Sequence, residues 1–156
     1  MAKEKVIDKL KNDPLMPLRH SAEHVLHTAV EKVFPGAKKV MGPPIENGFY
    51  CDFDYDGKIN EEDFPKIEQV MQEIIDAELP VKKHTLSADE AKKIFKDNPF
   101  KLELIEEHSK DSEKLTFYTF GEEGDKYYDI DLCAGPHVDN TREIKAFKLL
   151  SVAGAY

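Results

Sequence analysis

The sequence predicts an α+β fold, a mainly antiparallel sheet packed with helices, and two kinds of periodicity carry that prediction. Apolar residues recur at i, i+3, i+4 and i+7 across residues 19–34 and again after Asp63, the period of amphipathic helices. Other segments, residues 49–56 and 127–133 above all, alternate apolar and polar side chains with the period of a strand. Helices interleaved with hairpin-like strands favour this class.

Residues 1–17 are polar, carry Pro14 and Pro17, and read as a leader or short helix ending at the domain edge near Leu18. Over residues 19–34, Ala22, Val25, Leu26, Ala29, Val30 and Val33 form one apolar stripe about 140° wide. His20, His24 and His27 fall on the opposite side, within roughly 60° of one another, so they are either solvated or facing a cleft. Pro35-Gly36 ends the helix.

Residues 41–48 are rich in turn formers, and Asn47-Gly48 signals a hairpin. In the strand that follows, Phe49, Cys51, Phe53 and Tyr55 share one face and Asp52, Asp54 and Asp56 the other. Cys51 therefore reads as a small buried apolar residue rather than a pocket wall. The second helix, with Pro65 near its start, turns Ile67, Val70, Met71, Ile74 and Ile75 inward and ends at Pro80. Residues 81–86 read as a strand, and Ser87-Ala88-Asp89-Glu90 is a capping box for a third helix reaching about Lys96. Asn98-Pro99 breaks it, and residues 100–107 form a short helix or strand. Strands are expected at 115–120, 127–133 and 146–152.

At 156 residues, with 40% hydrophobic residues and nine Phe, the chain suits one domain with a true core. No apolar run approaches the ~18 residues of a transmembrane helix, and the first residues lack the apolar block of a signal peptide. Two cysteines in unlike contexts suggest no disulfide framework, so a reducing cytoplasm is the simplest setting. A net charge of −9 argues against a broad nucleic-acid-binding face. It leaves room for a local one around Arg142, Lys145 and Lys148. The pairs Lys38-Lys39 and Lys82-Lys83 read as solvated surface charges.

Chemistry concentrates in two clusters, His20-x-x-x-His24 and Cys133-x-x-x-His137. Strand alternation puts Asp131 on the face of Cys133, and Gly135-Pro136 turns the chain so that Cys133 and His137 converge. If the helix face lies against the strand end, His20, His24, Cys133 and His137 supply four zinc ligands. The same groups without metal can orient or deprotonate a water. A Cys133 nucleophile is a third route, requiring a depressed thiol pKa.

Arg19-His20-Ser21-x-x-His24, Gly42-Pro43-x-Ile45-x-Asn47-Gly48-Phe49-Tyr50, Asp131-Leu132-Cys133-x-Gly135-Pro136-His137-Val138 and Phe147-Lys148-Leu149 occur in order, followed by Ala153-Gly154-Ala155-Tyr156. As a set, from about Leu18 to Tyr156, they resemble the editing domain of bacterial-type threonyl-tRNA synthetases, related to alanyl-tRNA synthetase editing domains. The resemblance implies a deacylase that hydrolyses serine wrongly esterified to threonine tRNA. It implies an editing centre of His20, His24, Cys133 and His137, with Asp131, Gly42 and Lys101 lining the substrate. In the alanyl relatives these four positions hold zinc; the threonyl type implies a metal-free centre in which His and the RNA hydroxyl position a water. Cys51 and Ala134 depart from the family pattern, which has Tyr and Arg there. The resemblance further implies a fragment of a longer synthetase whose ligase core lies elsewhere, with a free-standing deacylase as the alternative. A structural zinc or RNA-docking module is the non-enzymatic rival.

Overall fold

The computed structural model describes residues 13–42, 44–111 and 114–154. Helix α1 (Met16–Val33) begins two residues before the expected domain edge, with Pro17 in its first turn, where a missing N–H costs nothing. Asp13 lies just ahead of it, accepting from the Leu15 N–H at 2.8 Å and from Arg19 Nη1 at 2.6 Å. The rest of the expected leader lies outside the described residues.

Two small antiparallel pairs follow. Strand β1 (Lys38–Met41) pairs with β4 (Asp52–Asp54), and β2 (Pro44–Ile45) with β3 (Gly48–Phe49). The hairpin forms, but its loop is Glu46-Asn47, and Gly48 already pairs with Ile45. The single strand expected over residues 49–56 is split at Tyr50-Cys51, because its two halves pair with different partners. A 3-10 turn (Glu61–Asp63) leads into α2 (Phe64–Asp76), which buries Ile67, Met71, Ile74 and Ile75; Val70 is half-buried at the rim.

The largest sheet has the order β5-β6-β7, all antiparallel: β5 (Val81–Ser87), β6 (Lys114–Phe120) and β7 (Asp129–Leu132). Between β5 and β6 come α3 (Ala88–Ile94) and α4 (Pro99–Ser109). The Ser87/Glu90 capping box is present, and Asn98 caps α4, which settles residues 100–107 as helix. Residues 146–152 form no strand and join none of the three sheets.

Strand β6 divides the core. Leu115 and Phe117 pack with Ala91 and Ile105 beneath α3 and α4. Phe120, on the other face, joins Ala22, Val25, Ala29 and Val30 of α1 and the apolar face of α2. Strand β7 repeats the division: Ile130 and Leu132 side with the α3/α4 cluster, and Asp129 and Asp131 face α1. Helix α1 is consequently buried well beyond its apolar stripe, with Ser21, Glu23, His24, His27 and Thr28 among its buried residues. That wrapped polar face positions the site.

Candidate active site

The turn after β7 closes on the first turn of α1. Cys133 Sγ lies 3.2 Å from His20 Nε2 and 3.3 Å from His137 Nε2, and the two imidazoles stack with centroids 4.1 Å apart. Each ring is fixed through its other nitrogen. His20 Nδ1 sits 3.1 Å from the Pro136 carbonyl, an acceptor only, so Nδ1 carries the proton and Nε2 the lone pair. His137 Nδ1 sits 2.9 Å from Ser21 Oγ, which also accepts the Val138 N–H at 3.0 Å. The Gly135 N–H donates to Cys133 Sγ at 3.2 Å. Gly135 has φ +81°, and a β-carbon there would overlap the Tyr118 hydroxyl, so the turn needs glycine on two counts.

All three members are half-buried. Burial dominates their protonation. It pushes the Cys133 thiol up to about 12, so the neutral-pH form is the thiol and the nucleophile route loses its thiolate. Burial, with His20 and His24 close by, brings His137 down to about 2. Burial lowers His20 as well, against the opposing pull of Glu23. Both rings are therefore neutral.

His24 does not join this triad. Its ring stacks on Phe120 at 3.7 Å and nearly parallel, and its Nε2 faces Asp129 Oδ2 at 2.9 Å. The expected four-ligand set is thus three, because one helical turn carries His24 past the strand end and over β7. His27, one further turn along, also faces Asp129 (3.6 Å), with Glu31 at 3.1 Å.

Behind the triad lies a buried charged core. Asp131, 3% exposed, accepts from Lys39 Nζ at 3.0 Å through Oδ2 and pairs with Lys101 Nζ at 2.6 Å through Oδ1. Lys39 also reaches Glu23 Oε1 at 2.9 Å. Lys39 is therefore no surface lysine, as its sequence context suggested; only Lys38 is exposed. Burial would raise the Asp131 carboxyl, but Lys39 and Lys101 outweigh it and hold it well below the usual carboxylate range. Burial would likewise lower the Lys39 ammonium, but Asp131 and Glu23 together keep it above the usual lysine value. Gly42 lies so close to Glu23 that a β-carbon would overlap its carboxylate. Cys51, half-buried rather than buried, is pushed up by burial and by the same Glu23, and it helps line a groove with Phe49, Tyr50 and Leu149. Its wall position reverses the sequence reading.

Sequence reasoning missed Glu23, Lys39, Ser21 and Glu31. Asp129 was legible from its alternation with Asp131, and His27 from its place on the histidine face. Nothing in the sequence marks Glu23 as the partner of Lys39.

His20, Cys133 and His137 fit a cation: one thiol and two ring nitrogens lie within 4.8 Å of one another, and both Nδ1 atoms are already tied.

Residues 115–154, which supply β6, β7 and the Cys133–His137 turn, match the threonyl and alanyl tRNA synthetase second additional domain. Similarity to threonine–tRNA ligases runs along most of the chain. The chain is 46% identical to a threonine–tRNA ligase of Rubrobacter xylanophilus over 142 residues, 91% of this chain and 21% of the relative. Corresponding ligases of Streptococcus pneumoniae and Thermotoga neapolitana are 48% and 50% identical, each over 92% of this chain and 22% of the relative. The chain thus spans about a fifth of the length of these relatives and corresponds to the editing-domain region of bacterial threonyl-tRNA synthetases.

Proposed function

We propose that this chain is an aminoacyl-tRNA deacylase domain that hydrolyses Ser-tRNA(Thr) and spares Thr-tRNA(Thr). The observation that carries the reading is the half-open triad of His20, Cys133 and His137, two neutral imidazoles and a thiol at hydrogen-bond distance on a mouth backed by fixed charges. A neutral Nε2 lone pair is what an ester-cleaving water needs as its proton acceptor, and His20 supplies one. In this reading His20 Nε2 takes the proton of the attacking water. Cys133 and the Gly135 N–H bound the space where the ester carbonyl sits, and Ser21 keeps His137 oriented. His24 supports the site from beneath through its contact with Phe120. Zinc on the same three residues would lower the pKa of a bound water and polarise the carbonyl; the threonyl branch favours the metal-free centre.

Asp131 and Lys101 enter as a pair. Each satisfies the other at 2.6 Å, so a seryl ammonium approaching Asp131, or a terminal ribose approaching Lys101, competes for a bond already made. Selection by size suits the task, because one missing methyl is worth only ~1–3 kcal/mol at a synthetic site. A second pocket that admits serine and excludes threonine adds what the first cannot. Exposed Arg142 and Lys145 offer local cations to the RNA despite the acidic total.

The partners in this proposal are threonine tRNA and the remainder of a synthetase, in the cytoplasm, with residues 18–156 as the deacylase domain and residues 1–17 as leader. Among the described residues no helix is long and apolar enough to cross a membrane. The test is deacylation of Ser-tRNA(Thr) and Thr-tRNA(Thr) by the purified chain. Cleavage of the first and sparing of the second is expected. His20→Ala and Cys133→Ala variants as fast as the parent would sink the assignment. Stoichiometric zinc with no hydrolysis would favour a structural module instead.

A further inference from the structure

A second donor cluster stands apart from the triad, deeper between α1 and β7. His24 Nε2 and His27 Nε2 both face Asp129 Oδ2, at 2.9 and 3.6 Å, and Glu31 Oε1 lies 3.1 Å from His27 Nε2. One ligand atom each from His24, His27 and Asp129 fall within 4.8 Å of one another. We propose that His24, His27 and Asp129 form a binding site for a divalent transition cation of the zinc type, with the Glu31 carboxylate as an outer partner beside His27.

Three features support it. The 2.9 Å approach of His24 to Asp129 lacks hydrogen-bond alignment, so both His24 Nε2 and Asp129 Oδ2 are buried without a hydrogen-bond partner. His24 is 1% exposed, and a buried polar atom without an aligned hydrogen bond calls for an explanation, which a bound cation supplies. The separations suit a tetrahedral N/O set, whose ligand atoms stand ~3.3 Å apart around a zinc bonded at ~2.0–2.1 Å. Asp131 Oδ2 faces the opposite nitrogens, His24 Nδ1 and His27 Nδ1, each at 3.9 Å. A carboxylate behind a histidine ligand is the usual outer partner that orients the ring toward metal. The helical spacing i, i+3, i+7 of His24, His27 and Glu31 delivers all three from one face of α1.

Cobalt(II) titration of the full chain, purified without a metal-affinity column and stripped with chelator, tests this. A thiolate-ligated ion at Cys133 produces near-ultraviolet sulfur-to-cobalt charge transfer; an ion at the proposed site produces ligand-field bands without it. The expected result is an equivalent of cobalt with sulfur-free bands, kept in Cys133→Ser and lost in His27→Gln. Glu31→Gln, at a partly exposed position, should retain the fold and weaken that Kd by about tenfold or more. Absence of sulfur-free bands in both the parent and Cys133→Ser overturns the proposal. So does a Kd unchanged in both His27→Gln and Glu31→Gln; if His27→Gln does not fold, Glu31→Gln decides alone.

Discussion

Lys39 Nζ donates to Asp131 Oδ2 at 3.0 Å, although 92 residues separate them and both side chains are almost wholly buried. This bond ties the first hairpin region to the sheet that carries the Cys133–His137 turn, and Glu23 completes it from α1. Losing Lys39 alone leaves Glu23 without its cation and Asp131 with only Lys101. Lys39→Met should therefore destabilise the chain by about 3–5 kcal/mol, while adding Glu23→Gln should restore part of that loss. Urea unfolding of the two single variants and the double variant measures the coupling. Strictly additive effects would show that the pair is not coupled.

Acid should unfold the chain through the same carboxylate. The folded pKa of Asp131 is depressed, so its contribution is fully present above the unfolded value of about 3.9 and is lost as pH falls through the lower folded value. The urea midpoint should hold its level between about pH 5 and 7 with respect to this group and drop steeply below about pH 4. Asp131→Asn should flatten that acid limb; an equally steep limb in the variant would assign it to other carboxylates.

Gly135 combines a positive φ of +81° with a β-carbon position occupied by Tyr118. Gly135→Ala should cost about 1–3 kcal/mol and displace the N–H that donates to Cys133. Tyr118→Phe in the same chain should recover only part of the stability, since the strained backbone angle remains. Full recovery in thermal unfolding would show that the phenol overlap was the whole cost.

Ser21, wholly buried, joins both His137 Nδ1 and the Val138 N–H. Ser21→Ala should lower kcat for Ser-tRNA(Thr) deacylation by roughly tenfold, in the range expected for groups that orient a functional histidine. KM should change little, because Ser21 is not exposed to substrate. A rise in KM at constant kcat would instead make it part of the binding surface.

Much of the frame was legible in the chain. The stripes of α1 and α2, the Ser87/Glu90 cap and the alternation of β7 are local patterns, set by residue spacing alone. Residues 146–152 had the composition of a strand and formed none, because a strand exists only with a partner edge. Residues 49–56 alternated faithfully yet split, for the same reason. Spacing and a turn anticipated that His20, Cys133 and His137 come together. Sequence reasoning grouped His24 with them because a helical wheel gives angle and not height along the neighbouring strand.

The sequence by itself therefore determined the α+β class, the paired His and Cys/His clusters and the placement of Asp131 on the Cys133 face. These depend on periods of 3.6 and 2 residues and on turn chemistry, all properties of contiguous chain. The tertiary structure alone decided that Lys39 is buried, that Glu23 and Lys101 complete its charge network, and that His24 turns to Asp129 instead of Cys133. Those outcomes depend on which faces meet across more than ninety residues, and on the high cost of leaving a buried charge without a partner.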